Sequence, residues 1–342
     1  MRTFVHHQPA SVAEAVVLLA RHGDRARPNA GGTDLLGVLK DGIHPDYPEA
    51  VIDLKRLPGL AKIETGDDGA LRVGALARLA DVADSPLVAA GWPALAVAAR
   101  SVATPQIRAM GTVGGNLCQE VRCWYYRYPR SIGGPIGCTR KGAKGCPALR
   151  GDNRYHALVR EGTCAAVCPS DLAVALAALG ATVTIVGTAA GEGAEIATET
   201  GGPPSSRVLP VEQLYRPLGL VLGPDELVTE VRVPAPGPGE VTDFLKFTVR
   251  ESVDFAVVSL GSAITLADGV CTAARLVFGG VAIGPWRDAG AEAGLAGRPF
   301  DDVAVDAAVA AVLANAEPLP DNAYKLEIAR SLVRRTLRSA VR

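Results

Sequence analysis

Six of the seven cysteines in the 342-residue chain are gathered in one part of it. They are Cys118, Cys123, Cys138, Cys146, Cys164 and Cys168. Four thiolates suffice to hold a [4Fe–4S] cluster or a zinc ion, so this segment, here called the cysteine loop (118–168), is a candidate metal site. No C-x-x-C pair is present, and scattered buried thiols are the alternative that the spacing leaves open.

Basic residues accompany these cysteines. They are Arg122, Arg127, Arg130, Arg140, Lys141 and Lys144. Cations stabilise thiolates and offset the negative charge of a cysteine-ligated cluster, whereas zinc gains less from them. The surroundings therefore favour an iron–sulfur cluster. Among the other polar groups, His156 is expected to make a structural hydrogen bond, and Trp124-Tyr125-Tyr126 is expected to pack over the loop.

Two glycine-rich segments could hold a diphosphate. The first glycine segment is Ala30-Gly31-Gly32-Thr33-Asp34, and the second is Gly111-Thr112-Val113-Gly114-Gly115-Asn116. Glycine lets backbone N–H groups converge on an anion without obstruction by a Cβ atom. Neither segment fits G-x-G-x-x-G, so a Rossmann dinucleotide fold is not supported, and a simple tight turn is the alternative for either segment alone.

The helices and strands predicted around these residues indicate an α+β fold. Ser11 to Glu14 reads as a capping box that opens a helix ending near Arg21, and Ser170-Asp171 caps another helix. The predicted strands are 50–55, 61–64, 71–73, 182–186, 227–233, 244–249, 257–266 and 274–281, and the predicted helices also include 93–101, 303–314 and 323–338. Regular alternation of strands and helices is missing, which excludes a doubly wound sheet.

The charge balance excludes several classes of partner. Lysine plus arginine number 35 and aspartate plus glutamate 36, so no single-signed field favours nucleic acid or a membrane surface. The chain has no apolar run of about 18 residues and opens on no apolar run typical of a signal peptide. A cytoplasmic protein is expected, and export together with a partner that carries its own signal stays open.

Four groups of motifs together resemble the FAD-binding medium subunits of the xanthine dehydrogenase (molybdenum hydroxylase) family. They are residues 30–36, residues 103–108 with 111–117, residues 169–172, and residues 279–282 with 285–287. The resemblance implies an α+β, vanillyl-alcohol-oxidase-type (PCMH-like) FAD-binding domain of two subdomains, followed by a carbon-monoxide-dehydrogenase-flavoprotein-like C-terminal α+β domain. The expected boundaries are 1–57, 58–225 with the insertion 118–168, and 235–342.

The same resemblance implies which residues hold FAD. They are Ala30, Gly31, Gly32, Thr33, Asp34, Leu35, Thr104, Thr112, Gly115, Asn116, Ser170, Asp171 and Lys246. Lys246, together with Arg250, is expected near the edge of the flavin, with solvated strand charges as the alternative.

The long stretch between Asn116 and Ser170 resembles insertions in bacterial aldehyde oxidoreductases and in 4-hydroxybenzoyl-CoA reductase, where the loop binds a [4Fe–4S] cluster. In the reductase branch a cysteine is expected where Tyr155 stands, so the aldehyde branch is the better match. The ligands that this resemblance implies are Cys123, Cys138, Cys146 and Cys164. Cys118 and Cys168 are then extra, and Cys168 competes with Cys164 as the fourth ligand.

The resemblance implies an oxidoreductase subunit without a substrate-converting residue of its own. A large subunit would hold the molybdenum cofactor and the substrate, and a small subunit would hold two [2Fe–2S] clusters. This chain would pass electrons through FAD to an external acceptor. A zinc-stapled, non-catalytic scaffold and a stand-alone flavin oxidase are the alternative functions. The sequence indicates neither the substrate nor the acceptor.

Overall fold

The computed structural model describes residues 1–134, 136–188, 204–250 and 253–340. The helices are α1 (Val12–His22), α2 (Leu35–Asp41), α3 (Leu79–Asp84), α4 (Pro86–Gly91), α5 (Pro93–Ser101), α6 (Pro105–Met110), α7 (Val113–Leu117), α8 (Asp171–Ala178), α9 (Ala289–Ala293), α10 (Asp302–Ala311) and α11 (Tyr324–Ala340). The strands are β1 (Val5–His7), β2 (Ala26–Asn29), β3 (Ala50–Asp53), β4 (Ile63–Thr65), β5 (Leu71–Gly74), β6 (Thr182–Gly187), β7 (Ser205–Pro210), β8 (Tyr215–Arg216), β9 (Gly219–Leu220), β10 (Leu227–Val233), β11 (Glu240–Phe247), β12 (Val258–Ala267), β13 (Val270–Gly279), β14 (Trp286–Arg287) and β15 (Arg298–Pro299).

The first sheet is small and parallel, with strand order β1-β3-β2. Helix α1 begins where the sequence predicted, because Ser11 accepts a hydrogen bond from the Glu14 N–H at 3.1 Å and so satisfies one of the helix's unpaired donors. Its buried face, including Val16 and Leu19, packs in one core with Ile52 of β3. This packing fixes the position of the sheet and so the end of strand β2. The first glycine segment runs from there to α2.

The second sheet is antiparallel, with strand order β4-β5-β10-β6-β7. The predicted hairpin at 61–73 is present as β4 and β5. Helices α3, α5 and α8 share a core with this sheet that includes Leu71, Leu95 and Leu172. Because all eight residues of α8 are buried, this helix is a central support and its N-terminus is firmly placed.

The third sheet is antiparallel, with strand order β11-β12-β13-β14 and with β15 paired to β13. Helices α10 and α11 pack in its core and confirm the helices predicted at 303–314 and 323–338. A Cβ atom on Gly261 of β12 would lie 2.9 Å from the Val174 carbonyl oxygen, so this strand runs directly against α8. The predicted α+β fold is confirmed, and the three domain boundaries stay predictions.

The cysteine loop contains neither α-helix nor β-strand among its described residues, 118–134 and 136–168. It has short 3₁₀ turns at Arg130–Ile132, Thr139–Lys141 and Pro147–Leu149. The last part of the loop pairs with the connection between β13 and β14, where the backbone N–H groups of Leu158 and Val159 donate to the Val281 carbonyl at 2.8 and 3.0 Å. No helix in the described part of the chain combines the length and the apolar character needed to cross a membrane.

Candidate functional site

The first glycine segment is a turn that only glycine can make at two positions. A Cβ atom on Gly31 would lie 2.0 Å from the Met110 carbonyl oxygen, and Gly32 has a φ of +72°. At Gly31 a side chain would collide with backbone atoms. At Gly32 the backbone has a conformation that residues with a side chain rarely adopt. The turn therefore lies directly against the start of the second glycine segment.

The second glycine segment is held from behind by β5 and the residues that follow it. The N–H groups of Val113 and Gly114 donate to the carbonyls of Ala77 and Ala75 at 2.9 and 2.8 Å. A Cβ atom on Gly114 would lie 2.9 Å from that of Ala75. Thr112 caps α7 by accepting the Gly115 N–H at 3.1 Å. Backbone rather than side chains thus forms this wall.

Two adjoining cavities open on these segments. The first has a volume of about 220 Å³ and apolar walls that include Leu54, Leu76 and Leu227. The second has a volume of about 70 Å³ and is lined partly by Asp171 and Lys246. Residues common to both walls are Thr33, Asp34, Thr112, Gly115 and Gln119. The glycine segments therefore stand between a larger, mainly apolar cavity and a smaller one that Asp171 and Lys246 line.

All of the residues predicted to hold FAD line one cavity or both, except Thr104 and Ser170. Thr104 caps α6 by accepting the Ile107 N–H at 3.2 Å. Ser170 is buried, donates to Asn116 Oδ1 at 2.6 Å and accepts the Ala173 N–H at 3.0 Å. Ser170 thus orients Asn116, which does line the second cavity, while Thr104 supports a helix.

Lys246 of β11 reaches the N-terminus of α8. Its Nζ lies 2.8 Å from Asp171 Oδ2 and donates to the Ser101 carbonyl at 2.9 Å. Burial raises the pKa of Asp171, and the Lys246 ammonium opposes that rise. The pair therefore joins the third sheet to the second cavity. Arg250 is absent from both cavity walls and pairs instead with Asp254, at 2.6 Å.

Asp34 connects the glycine segments with the cysteine loop. Its Oδ1 pairs with Arg122 Nη1 at 2.8 Å and with Arg127 Nη2 at 2.7 Å, and its Oδ2 accepts the Glu120 N–H at 2.9 Å. The sequence predicts only that both arginines accompany the cysteines. In the structure Arg122 also lines the second cavity, together with Gln119 and Phe255. The nearest signal was the position of Arg122 beside Cys123, which gave no indication of Asp34.

Glu120 fixes the beginning of the cysteine loop. Burial alone would raise its pKa, but His44 Nε2 and the Tyr126 hydroxyl, each 2.7 Å from its carboxylate, help to lower the pKa to about 2. The carboxylate is therefore ionised over the physiological range. This anchor lies within a few residues of Cys123.

Three of the four predicted ligands, Cys123, Cys138 and Cys164, belong to one apolar cluster with Tyr126, and Cys146 belongs to the adjacent one with Tyr125. Burial raises the pKa of the Cys123 thiol to about 11, and its neighbours Cys146 and Cys164 add to that rise. Over the described residues, no three side chains of His, Cys, Asp or Glu are arranged to hold a metal ion. The thiols therefore gather without forming a finished cage.

Hydrogen-bond donors surround these thiols. His156 Nε2 lies 3.2 Å from Cys123 Sγ, in agreement with the hydrogen-bonding role expected of it, and Arg140 Nε donates to Cys164 Sγ at 3.4 Å. Burial lowers the pKa of His156 to about 4, so its ring is neutral at neutral pH. Thr139 Oγ1 and Lys141 Nζ are buried without a hydrogen-bond partner among the described residues. Around these thiols, hydrogen-bond donors thus outnumber the acceptors that the described residues provide.

The remaining two cysteines of the loop lie elsewhere. Cys168 packs in the core of the second sheet with Leu172 and Leu176, and Cys118 packs against the same core. Burial raises the pKa of both thiols to about 12. Cys168 is therefore separated from the cluster that contains Cys164. The aromatic groups pack as expected, with the Trp124 ring centroid 5.8 Å from that of Tyr155.

Two family descriptions match almost the whole chain. "FAD binding domain in molybdopterin dehydrogenase" matches residues 2–236, and "CO dehydrogenase flavoprotein C-terminal domain" matches residues 243–340. The first match contains both glycine segments and the cysteine loop. The second contains Lys246 and α11.

Individual proteins are similar over the same length. The aldehyde oxidoreductase FAD-binding subunit PaoB of Escherichia coli is 34% identical over 100% of this chain and 98% of its own length. The carbon monoxide dehydrogenase medium chain of Afipia carboxidovorans is 28% identical over 99% of this chain and 96% of its own. The solved carbon monoxide dehydrogenase of Hydrogenophaga pseudoflava superposes with a TM-score of 0.75 at 26% identity, covering 99% and 97% of the two chains.

Proposed function

Because the chain belongs to the family of FAD-binding medium subunits of molybdenum hydroxylases and is an oxidoreductase subunit, we propose that it carries electrons through FAD. The electrons would pass between [2Fe–2S] clusters of a small partner subunit and an external acceptor. A large subunit would hold the molybdenum cofactor and the substrate. Bound FAD supplies exchange between two-electron and one-electron steps, while protein groups position and tune it.

The observation that carries the FAD proposal is the pair of cavities divided by glycine backbone. Gly31 packs too closely against the Met110 carbonyl, and Gly114 too closely against Ala75, for a side chain to fit, so this part of the wall is backbone, whose N–H groups suit a diphosphate. In the first cavity, Asn29 Oδ1 is buried without a partner among the described residues. A buried acceptor of this kind calls for a donor from a ligand, because leaving it unpaired costs about 1–3 kcal/mol.

The residues proposed to hold FAD divide into three groups. Thr33, Thr112 and Gly115, which face both cavities, would hold the diphosphate. Apolar residues of the first cavity would cover one end of the cofactor. Asp171 and Lys246, with Asn116 held by Ser170, would orient the other end in the second cavity. The residue boundaries 1–57, 58–225 and 235–342 are part of the same proposal.

We also propose a [4Fe–4S] cluster held by Cys123, Cys138, Cys146 and Cys164. Its support is chemical: four thiols gather in adjoining clusters, and Arg140 already donates to one of them. The unpartnered donors Thr139 Oγ1 and Lys141 Nζ lie beside Cys138 in sequence and would find acceptors in cluster sulfurs. Cys168, packed in another core, is not included. A one-electron acceptor could then exchange electrons at the cysteine loop.

A visible spectrum combined with iron, zinc and flavin analysis of the purified chain tests these proposals together. We expect one FAD per chain and iron in the stoichiometry of a [4Fe–4S] cluster. Equimolar zinc without flavin absorbance would establish the scaffold instead. Flavin with scattered thiols and no metal would leave the FAD proposal standing and remove the cluster.

Purification of the tagged chain from its native host tests the partners. We expect one larger and one smaller subunit to accompany it, and substrate turnover to require them. Full turnover by the isolated chain would replace the proposal with a stand-alone flavin oxidase. A cytoplasmic location, and the absence of nucleic acid and membrane partners, stay predictions.

A further inference from the structure

Arg122 is contributed by the cysteine loop but lines the second cavity. Its guanidinium is fixed on three sides: Nη1 pairs with Asp34 Oδ1 at 2.8 Å, Nη2 donates to Gln119 Oε1 at 2.9 Å, and Cζ lies 5.0 Å from the centroid of the Phe255 ring. A guanidinium carries five N–H donors in one plane, so the three that these two pairings leave are presented in fixed directions.

One of these three donors, the N–H of Nε, is buried and has no hydrogen-bond partner among the described residues. Leaving a buried donor unpaired costs about 1–3 kcal/mol, and more beside a charge. The two acceptors nearest to the guanidinium, Asp34 and Gln119, already bind its other nitrogens. An acceptor in the adjoining cavity would complete the set.

The other charged groups on this cavity wall are already paired. Lys246 binds Asp171 and the Ser101 carbonyl, and Asp254 binds Arg250. Asp34 is shared between two arginines and the ionised Glu120 lies beside them, so these four charges balance. Of the four groups only Arg122 and Asp34 line the second cavity, where Arg122 places a cation at the wall formed by the cysteine loop. Only 29% of the Arg122 side chain is exposed, which limits screening by water.

We propose that Arg122 contacts the isoalloxazine ring of FAD, that one of the unused N–H groups of its guanidinium donates to an acceptor atom at the ring edge, and that its charge raises the midpoint potential of the flavin. The inference rests on the proposed placement of FAD in the two cavities. A fixed positive charge stabilises the electron-rich form of a redox group, and charge near the flavin ring is a means by which proteins tune it. Because Arg122 precedes Cys123, one short segment touches both redox sites.

Arg127 provides a matched control, because it binds the same oxygen of Asp34 at 2.7 Å but lines neither cavity. The experiment compares Arg122→Gln, Arg122→Lys and Arg127→Gln in the intact complex. The readouts are the flavin midpoint potential, by equilibration with reference dyes, and the FAD dissociation constant, by fluorescence titration of the flavin-depleted protein. Neither readout requires turnover.

We expect Arg122→Gln to make the midpoint potential more negative and to weaken FAD binding about tenfold, as for loss of one charge-assisted hydrogen bond. Arg122→Lys, which keeps the charge, should restore the potential more than the affinity. Arg127→Gln should leave the potential close to that of the unaltered complex.

Equal shifts in Arg122→Gln and Arg127→Gln would overturn the inference, since loop charge in general would then be the cause. An unchanged potential in an Arg122→Gln protein that retains FAD would overturn it as well. If Arg122→Gln does not fold, the test passes to Arg122→Lys. An Arg122→Lys protein whose affinity for FAD is unaltered would also overturn the inference. A complex that binds no FAD in its unaltered form would instead contradict the proposed function.

Discussion

In the glycine segments, backbone meets backbone: Gly31 lies against the Met110 carbonyl, and Gly114 lies against Ala75. In the cysteine loop, side chains make the arrangement, with Glu120, His44 and Tyr126 at its start and the thiols beyond. The two regions meet at Asp34. The glycine segments form a wall between regular elements, whereas the cysteine loop has neither α-helix nor strand in its described residues.

The glycine segments are expected to be formed before their ligand arrives, and the metal site of the cysteine loop is not. Close backbone packing fixes the glycine segments whether or not a cofactor is bound. The thiols, in contrast, must lose protons to bind metal, and burial raises the pKa of Cys123 to about 11. The glycine segments are therefore expected to be rigid and the cysteine loop to depend on its ligand. The following predictions test that contrast.

The largest effect is expected from Gly31→Ala. The new Cβ atom would collide with the Met110 carbonyl, so the two glycine segments must separate and the shared wall must move. We expect the chain to lose most of its FAD and about 1–3 kcal/mol of its free energy of unfolding. Flavin content and denaturant unfolding measure the two losses.

Gly37→Ala is the matched control, because a Cβ atom at that position in α2 would meet nothing within 4 Å. Alanine in a helix interior should stabilise the protein by about 0.5–1 kcal/mol. If Gly31→Ala retained FAD like Gly37→Ala, the glycine wall would be less rigid than the contrast requires.

The next largest effect is expected from replacing a single cysteine, which should remove one cofactor and leave the other bound. Cys164 packs with Cys138, whereas Cys168 packs with Leu172. Cys164→Ser should therefore lose most of its iron while retaining FAD, because an iron–sulfur cluster needs all four thiolates. Cys168→Ser, its control, should retain both. Iron analysis together with the flavin spectrum separates the variants, and iron loss in Cys168→Ser alone would reverse the assignment of the fourth ligand.

The same contrast governs what the sequence could predict. The glycine segments, the capped helices α1 and α8 and the hairpin of β4 and β5 follow from local rules, and the structure has them where expected. In the cysteine loop, long-range charge pairs decide the positions. Neither the contact of Arg122 with Asp34 nor that of His156 with Cys123 has a local signal, because the partners are far apart in sequence.

A smaller effect on both sites is expected from Asp34→Asn. The amide keeps the size of the side chain but removes the charge that binds Arg122 and Arg127. We expect FAD affinity to fall several-fold and iron to be lost faster to a chelator, since a partly buried charge pair of this kind contributes about 1–3 kcal/mol. Asp41→Asn, an exposed position at the end of α2, is the control. If only one cofactor responded, Asp34 would belong to that site alone.

The smallest effect concerns the far end of the cysteine loop, where Lys325 of α11 is fully buried and its Nζ donates to the carbonyls of His156, at 2.8 Å, and Gly280. Burial lowers the pKa of Lys325 to about 7, against roughly 10.4 in an unfolded chain. Between these values the unfolded chain holds a proton that the folded chain has released. The contribution of Lys325 to the free energy of unfolding should therefore rise with pH from about 7 to about 10, with no such slope below. Above about pH 8 the buried thiols of Cys118, Cys123 and Cys168, whose pKa values are raised, contribute a fall, so the contribution of Lys325 is the difference between the unaltered chain and Lys325→Met.

Lys325→Met should remove that rise, whereas Lys40→Met, at an exposed position in α2, should keep it. Denaturant unfolding at a series of pH values between 7 and 10 measures the slope. A neutral amine still donates two hydrogen bonds, so its contacts with His156 and Gly280 persist as the proton leaves. His156, whose pKa is lowered to about 4, does not titrate in this window. If Lys325→Met kept the same slope as the unaltered protein, the Lys325 amine would be in contact with water in the unaltered protein. This end of the cysteine loop would then be less closely packed than the glycine segments.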